Sequence, residues 1–257
     1  MRHTPTKMNS IDKTLMILSS FAPHNQEYGT VEISHRLGFH KATVSRILLT
    51  LTRHGFLAQN ALTRKFTLGP SVMSLSRALR QSLKTNMVQV AKPFVDELRD
   101  TLKETVILEV FGGKRTFMAY IAEGPRLVRL AGSIGDTLPI HASAGAKAIL
   151  AFLPEERKRA LLKGRLKRFT RNTIADRKKL EAELREIRIK GVSYDREEID
   201  EGTGAIGVPV FDHEQRPQAA LVVAGPYQRI QENGDTRIVS ALRGASSAIS
   251  SSLYFNA

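Results

Sequence analysis

Cysteine is missing from all 257 residues, and tryptophan with it. Without thiols the chain has no disulfide, thiolate metal site, iron–sulfur cluster, cysteine nucleophile or thiol redox sensor. Long apolar runs are also missing. Nothing approaches the roughly 18 uninterrupted apolar residues of a membrane span, and the longest apolar helical stretch, Ala148 to Leu153, is far too short. Residues 1–10 are polar and basic where a signal peptide would be apolar. The expectation is a cytoplasmic protein with no membrane contact. The seven histidines are scattered without a ligand spacing such as H-E-x-x-H, so neither a metal nor another cofactor is expected. Acidic residues are scarce at one end: the first 80 residues hold eleven Lys and Arg against three acids, net +8, while the rest hold 28 against 22, net +6. This shift in composition points to two domains, the first of them suited to phosphate backbones. A merely soluble basic surface is the alternative.

What is present begins with helical periodicity. Ile11, Leu15, Met16 and Leu18 predict a helix over 10–21 that stops near Pro23. A second helix opens after Thr30 as N-cap, buries Ile33 and Leu37, and stops at Gly38. Lys41 to Leu51 places Val44, Ile47, Leu48 and Leu51 on one buried stripe. The opposite face carries Thr43, Arg46, Thr50 and Arg53, with Lys41 and Ser45 beside its first turn. Arginine forks onto guanine or phosphate, hydroxyls adapt to either, and small residues let a helix sit deep in the major groove. An ordinary solvated helix face is the other reading. Next come a strand over 55–59, a turn over 60–63 and a returning strand over 64–69, a hairpin whose Arg64 and Lys65 stand where a wing meets DNA.

Val72, Leu75, Leu79 and Leu83 predict a linker helix over 71–83, and a helix over 85–103 contains Pro93. Strands are expected over 105–111 and 115–121, joined by Gly112-Gly113-Lys114, with a third over 126–131. Helices follow over 143–153, 155–164 and 176–189, then strands over 192–195, 205–211 and 218–225 and a last helix over 235–253. Strands grouped around helices indicate α+β. The basic run from Arg157 to Arg171 reads as a solvated helix face. At His141 to Lys147 a helix starts with Ser143 as N-cap and several minimal side chains, leaving amides that attract carboxylate or phosphate. Close packing of that helix on the sheet is an equal alternative.

Several of these segments together resemble the IclR-type bacterial transcription regulators: Ser10-Ile11-Asp12-Lys13-Thr14-Leu15, the helix Lys41-Ala42-Thr43-Val44-Ser45-Arg46-Ile47-Leu48, Phe66-Thr67-Leu68-Gly69-Pro70, Leu138-Pro139-Ile140-His141-Ala142-Ser143 through Lys147-Ala148-Ile149-Leu150, and Asp195-Arg196-Glu197-Glu198 leading to Val208-Pro209-Val210-Phe211-Asp212. The resemblance spans essentially the whole chain. It implies a winged helix-turn-helix over 1–70, a linker helix over 71–84 and a GAF-like effector-binding and oligomerisation domain over 85–257. It also implies a ligand-responsive regulator of a catabolic operon, dimeric through its DNA-binding domains and often tetrameric through the others. Two symmetry-related reading helices call for double-stranded DNA with a palindromic operator. Effector-pocket positions carried over are Leu127, Leu138, Ala144, Gly145, Asp195, Thr203, Ala205, Val222 and Ala224. Relatives that take small hydrophilic oxo-acids tend to be polar at the last positions, whereas Ala205, Val222 and Ala224 are apolar. A larger or partly apolar carboxylate, aromatic or sugar-derived, is the expected effector. Asp195 either accepts a ligand hydroxyl or caps the acidic turn that follows it.

Other classes stand beside this one. Gly202-Thr203-Gly204-Ala205-Ile206-Gly207 spells the dinucleotide fingerprint but lacks the strand before it and the helix after it. Ser143, Asp195 and His213 follow the chain order of a hydrolase triad, yet His141 replaces the first glycine of the nucleophile elbow. An esterase and a sequence-nonspecific nucleic-acid binder are therefore the alternatives, the latter marked by affinity governed by salt.

Overall fold

The computed structural model describes residues 8–22, 26–83, 87–232 and 234–255, and the chain divides into two compact units between Ser82 and Leu83. The first unit runs α1 (Ser10–Ser19), α2 (Thr30–Leu37), α3 (Lys41–Arg53), β1 (Leu57–Gln59), β2 (Phe66–Leu68) and α4 (Pro70–Leu83). Asn9 caps α1 by accepting the Asp12 N–H at 2.8 Å. The expected stop at Pro23, like the side chains of Leu79 and Leu83, lies outside the described residues. Thr30 is not the N-cap of α2 but its first residue; Gly29 is the cap, and its N–H donates to the carboxylate of Glu32 reaching back from the first turn. A carboxylate three residues inside the helix satisfies that donor without needing a hydroxyl at the cap. Gly38 ends α2 with φ of 68°, where a Cβ would be strained.

α3 is capped by His40, whose imidazole accepts the Ala42 N–H. Its stripe Val44, Ile47, Leu48 and Leu51 is buried as the periodicity requires, in one core with Ile17, Phe21, Ile33, Leu57 and Phe66. β1 and β2 pair antiparallel, Leu57 opposite Leu68, and Tyr28 bridges to Phe66. The strands start later than expected because Gly55 and Arg64, with φ of 73° and 59°, leave the extended region; Gly69 packs so closely that an added Cβ would lie 2.3 Å from the Gly55 carbonyl oxygen.

The second unit comprises α5 (Met87–Leu102), β3 (Thr105–Phe111), β4 (Thr116–Ala122), β5 (Thr137–Leu138), α6 (Ala144–Leu150), α7 (Glu155–Leu161), α8 (Arg177–Lys190), β6 (Ser193–Arg196), β7 (Thr203–Phe211), β8 (Pro217–Pro226), α9 (Tyr227–Glu232) and α10 (Gly234–Phe255). The strands form one antiparallel sheet in the order β5, β4, β3, β8, β7, β6, so the unit is α+β with helices on both sheet faces. Strand residues alternate between faces. Val106, Leu108, Val110, Ile206, Val208, Val210, Leu221 and Val223 pack with α5 and α10. Ile107, Ala205, Ala220, Val222 and Ala224 pack on the face of α6 and α8. Pro93 is inside α5 on its exposed side.

The expected strand over 126–131 does not form. Its carbonyls are taken by side chains instead: Thr105 Oγ1 donates to Leu130 O at 2.6 Å and Arg229 to Val128 O at 2.8 Å. The edge position goes to β5, which pairs with Thr116 and Phe117. The basic run is a helix only as far as Leu161. Beyond it, residues 162–176 are irregular, with Thr170 and Thr173 donating to the carbonyls of Glu197 and Glu198. No helix among the described residues is long and apolar enough to cross a membrane.

Candidate functional site

Two surfaces carry chemistry, one in each unit. On α3, burial of Val44, Ile47, Leu48 and Leu51 turns Lys41, Arg46, Thr50 and Arg53 to solvent, with Thr43 and Ser45 half-buried at the margin. Among the described residues no ion pair or hydrogen bond engages the side chains of Lys41, Arg46, Arg53 or Arg64. The Thr50 hydroxyl donates back to the Arg46 carbonyl at 2.8 Å, so it meets a partner as an acceptor first. Thr30 is half-buried at the start of α2.

The hairpin turn is rigidly built. Asn60 Oδ1 accepts the Leu62 and Thr63 N–H groups, while Asn60 and Thr63 both hold the carboxylate of Glu27. Arg64 adopts φ of 59° at the tip. Lys65 differs from its neighbour, because it is paired with Glu32 at 2.9 Å. Glu32 keeps its carboxyl below the usual range through the Gly29 N–H and then Lys65. One carboxylate thus caps α2 and anchors the wing.

In the second unit a cavity of about 650 Å³ opens on the α6 face of the sheet. Eight of the ten expected ligand residues line it: Leu138, Ser143, Ala144, Asp195, Thr203, Ala205, Val222 and Ala224. Small side chains from β7 and β8 leave the space, and close approach of α6 to the sheet frames it. A Cβ on Gly207 would lie 2.9 Å from the Ala144 carbonyl carbon, and Ser193 Oγ donates to Ala144 O. Leu127 is not in the wall; it is 98% exposed. The side-chain hydrogen bonds to the Val128 and Leu130 carbonyls fix the loop so that Arg129 and Leu130 reach the cavity.

Gly145 stands behind the wall against a residue not foreseen from sequence, Glu109 of β3. A Cβ on Gly145 would fall 2.5 Å from the Glu109 carboxyl carbon. Ser143 Oγ lies 2.9 and 3.1 Å from the two Glu109 oxygens and donates to them. The first turn of α6, for which the sequence left an anion site and close packing as equal readings, is met by the protein's own carboxyl group. Burial pushes that carboxyl up to about 7, against the opposing pull of the Ser143 hydroxyl.

Asp195 caps the acidic turn, its Oδ1 accepting the Glu198 N–H at 2.7 Å, and it also lines the cavity. Burial raises it to about 6. Glu198 is raised to about 7, again by burial, although Lys147 attracts it. Lys147 is wholly buried and pairs with Glu198 and, at 2.6 Å, with Glu183 of α8. The wall also includes Met118, Asp136 and Asp200. A legible signal for Glu109 existed: it is the only charge in the apolar run 105–111.

The hydrolase arrangement is not assembled. Ser143 spends its hydroxyl on Glu109, and His213 is half-exposed beside Glu214 in the β7–β8 turn. From Ala205, which pairs with Asp195, to the end of β7 is roughly 20 Å of strand. The 202–207 glycine segment enters β7 and is followed by no helix, so the nucleotide fingerprint lacks its context.

Comparison with known proteins finds a family match for each half of this organisation. The family description "IclR helix-turn-helix domain" matches residues 10–61, and "Bacterial transcriptional regulator IclR C-terminal" matches 81–251. The HTH-type transcriptional regulator XynR of Escherichia coli is 30% identical over 97% of this chain and 99% of its own length. The HTH-type transcriptional regulator Rv1719 of Mycobacterium tuberculosis is 36% identical over 77% of this chain and 74% of its own. Among solved structures, an IclR transcriptional regulator from Alicyclobacillus acidocaldarius aligns with a TM-score of 0.79 at 27% identity, covering 96% of this chain and 99% of that one.

Proposed function

Because the chain belongs to the IclR family of bacterial transcriptional regulators, we propose that α3 reads a palindromic operator and that the cavity receives the effector. The protein is a ligand-responsive DNA-binding regulator and not an enzyme. The observation that carries the reading is the division of α3 into a fully buried apolar stripe and a face whose arginines have no internal partner. Arg46, Thr43 and Thr50 address base edges. Lys41, Ser45, Arg53 and Arg64 address phosphates, while Thr30 and the Glu32-paired Lys65 fix the register of α2 and wing on the backbone. Ile11 and Leu15, 68% and 56% exposed on α1, supply an apolar surface for a second copy, as a palindrome requires. The protein acts in the cytoplasm as a dimer or tetramer on a catabolic operon.

The effector is a small carboxylate metabolite held among Leu138, Ala205, Val222 and Ala224. Its acid group faces Arg129, because Glu109 occupies the first turn of α6. Binding biases the unit between two arrangements in proportion to the ligand's differential affinity for them. The test is selection of genomic fragments by the purified protein near physiological salt, followed by footprinting. A palindromic site is expected, and Arg46→Ala should cost about 1 to 3 kcal/mol and relax its sequence preference. Uniform, salt-sensitive capture would overturn the reading.

A further inference from the structure

The chain as a whole carries a net charge of +14, yet the wall of the cavity holds four carboxyl groups, Glu109, Asp136, Asp195 and Asp200, and a single cation, Arg129. That arginine is already paired with Glu123 at 2.7 Å. Two of the carboxyls are deep: Glu109 is 1% exposed and Asp195 6%. Neither has a cation bonded to it among the described residues. Glu109 is met by the Ser143 hydroxyl, with that of Thr116 beside it, and Asp195 by the Glu198 and Ile199 N–H groups. A carboxylate can accept about four hydrogen bonds, so both retain acceptor capacity beside a space large enough for a small metabolite. Much of the wall is apolar, Ile107, Met118, Ala144, Ala205, Val222 and Ala224, and the hydroxyls of Ser143 and Thr203 are already spent on Glu109 and the Asp200 carbonyl.

We infer that the cavity takes a small molecule whose buried end is a hydrogen-bond donor, an ammonium or a hydroxyl group, received by Glu109 and Asp195. An acid group entering that end would place a third carboxyl beside two whose ionisation burial already resists, so its charged form is disfavoured there. It would also find the first turn of α6 filled, since the room left by the absent side chain of Gly145 is taken by Glu109. A donor group instead completes the two half-satisfied acceptors, and a charge-assisted bond to a buried carboxylate is worth more than a neutral one. The molecule is thus two-ended, with a donor inside and, at the Arg129 side, the carboxylate of the proposed effector. This inference rests on reading the cavity as the effector site.

A matched four-carbon series tests it on the full-length protein: butyrate, 4-hydroxybutyrate and 4-aminobutyrate, titrated calorimetrically and by thermal shift. The two donor-bearing acids should bind about tenfold or more tightly than butyrate, with the hydroxyl and amino members separating the two donor chemistries. Glu109→Gln preserves shape and an acceptor for Ser143, and should shrink the advantage of 4-aminobutyrate by a similar factor; Asp195→Asn provides an independent variant should the first not fold. Butyrate binding as tightly as its donor-bearing analogues, or a ranking unchanged in both variants, overturns the inference. Failure of the effector-site reading looks different: small molecules would shift operator affinity undiminished when Ala224→Leu fills the cavity.

Discussion

On the side of the sheet that meets α5 and α10, β3, β7 and β8 present Val106, Leu108, Val110, Ile206, Val208, Val210, Leu221 and Val223. On the side that meets α6, the same strands present Ile107, Glu109, Ala205, Gly207, Ala220, Val222 and Ala224. The positions alternate along the same strands, so the backbone is common to both. The residues facing α5 and α10 fill their space, which is where packing stabilises the unit. Those facing α6 are smaller on average and include a carboxyl, Glu109, with no cation bonded to it among the described residues, which leaves space and acceptor capacity on that face. The cavity lies on the face where the side chains are smaller.

Neighbouring residues on β8 provide the sharpest contrast. Leu221→Ala on the filled face should cost about 2 to 5 kcal/mol in urea unfolding, because a tightly packed site collapses only partly around a deletion. Val222→Ala, one residue away but lining the cavity, removes groups that already border open space and should cost clearly less. Equal losses at the two positions would contradict the division between a filled and a hollow face.

Next in size is the effect of Glu109. Its carboxyl is raised from 4.5 to about 7, so between those values the folded protein holds a proton that the unfolded chain has released. Stability is therefore fullest below about pH 4.5 with respect to this group and declines as pH rises through 7. Asp195, raised from 3.8 to about 6, and Glu198, raised to about 7, act in the same direction. Glu109→Gln should then stabilise the protein by up to about 3 kcal/mol at pH 8 and have little effect at pH 4.5, flattening the decline seen in the parent. A Glu109→Gln gain that is the same at both pH values would show that ionisation of this carboxyl is not what the folded state resists.

The smallest stability effect belongs to Ala224→Leu, which fills the hollow face. Since the added atoms enter existing space, unfolding free energy should change by about 1 kcal/mol or less, while the response of operator binding to effector is lost. Operator affinity without effector should stay at the parental value.

The local structure was largely legible from sequence. Val44, Ile47, Leu48 and Leu51 announce a buried helical stripe, Gly38 a left-handed stop, and the Gly112-Gly113 turn a hairpin, because each depends on neighbours a few residues away. Failures came where a distant group intervened. Residues 126–131 have a strand's composition, but Thr105 and Arg229 take carbonyls that a neighbouring strand would have used. Leu127, carried over by resemblance, faces solvent for the same reason. Thr30 lost its capping role to a carboxylate from Glu32. Glu109 stood out as a charge in an apolar strand, yet nothing near it in sequence tells that Ser143 and Gly145, over thirty residues on, would receive it.

What the sequence by itself determined, then, is periodicity and charge: which residues share a helix face or a strand face, and that the first 80 residues are the more basic per residue. Only the tertiary structure decided the chemistry of the cavity. A period of two says that Ile107, Glu109 and Thr105 share a side, but not which helix covers that side or how closely. That answer depends on β3, β7 and β8 meeting in register with Ala205 opposite Ala224, contacts between segments too far apart along the chain for any local pattern to encode.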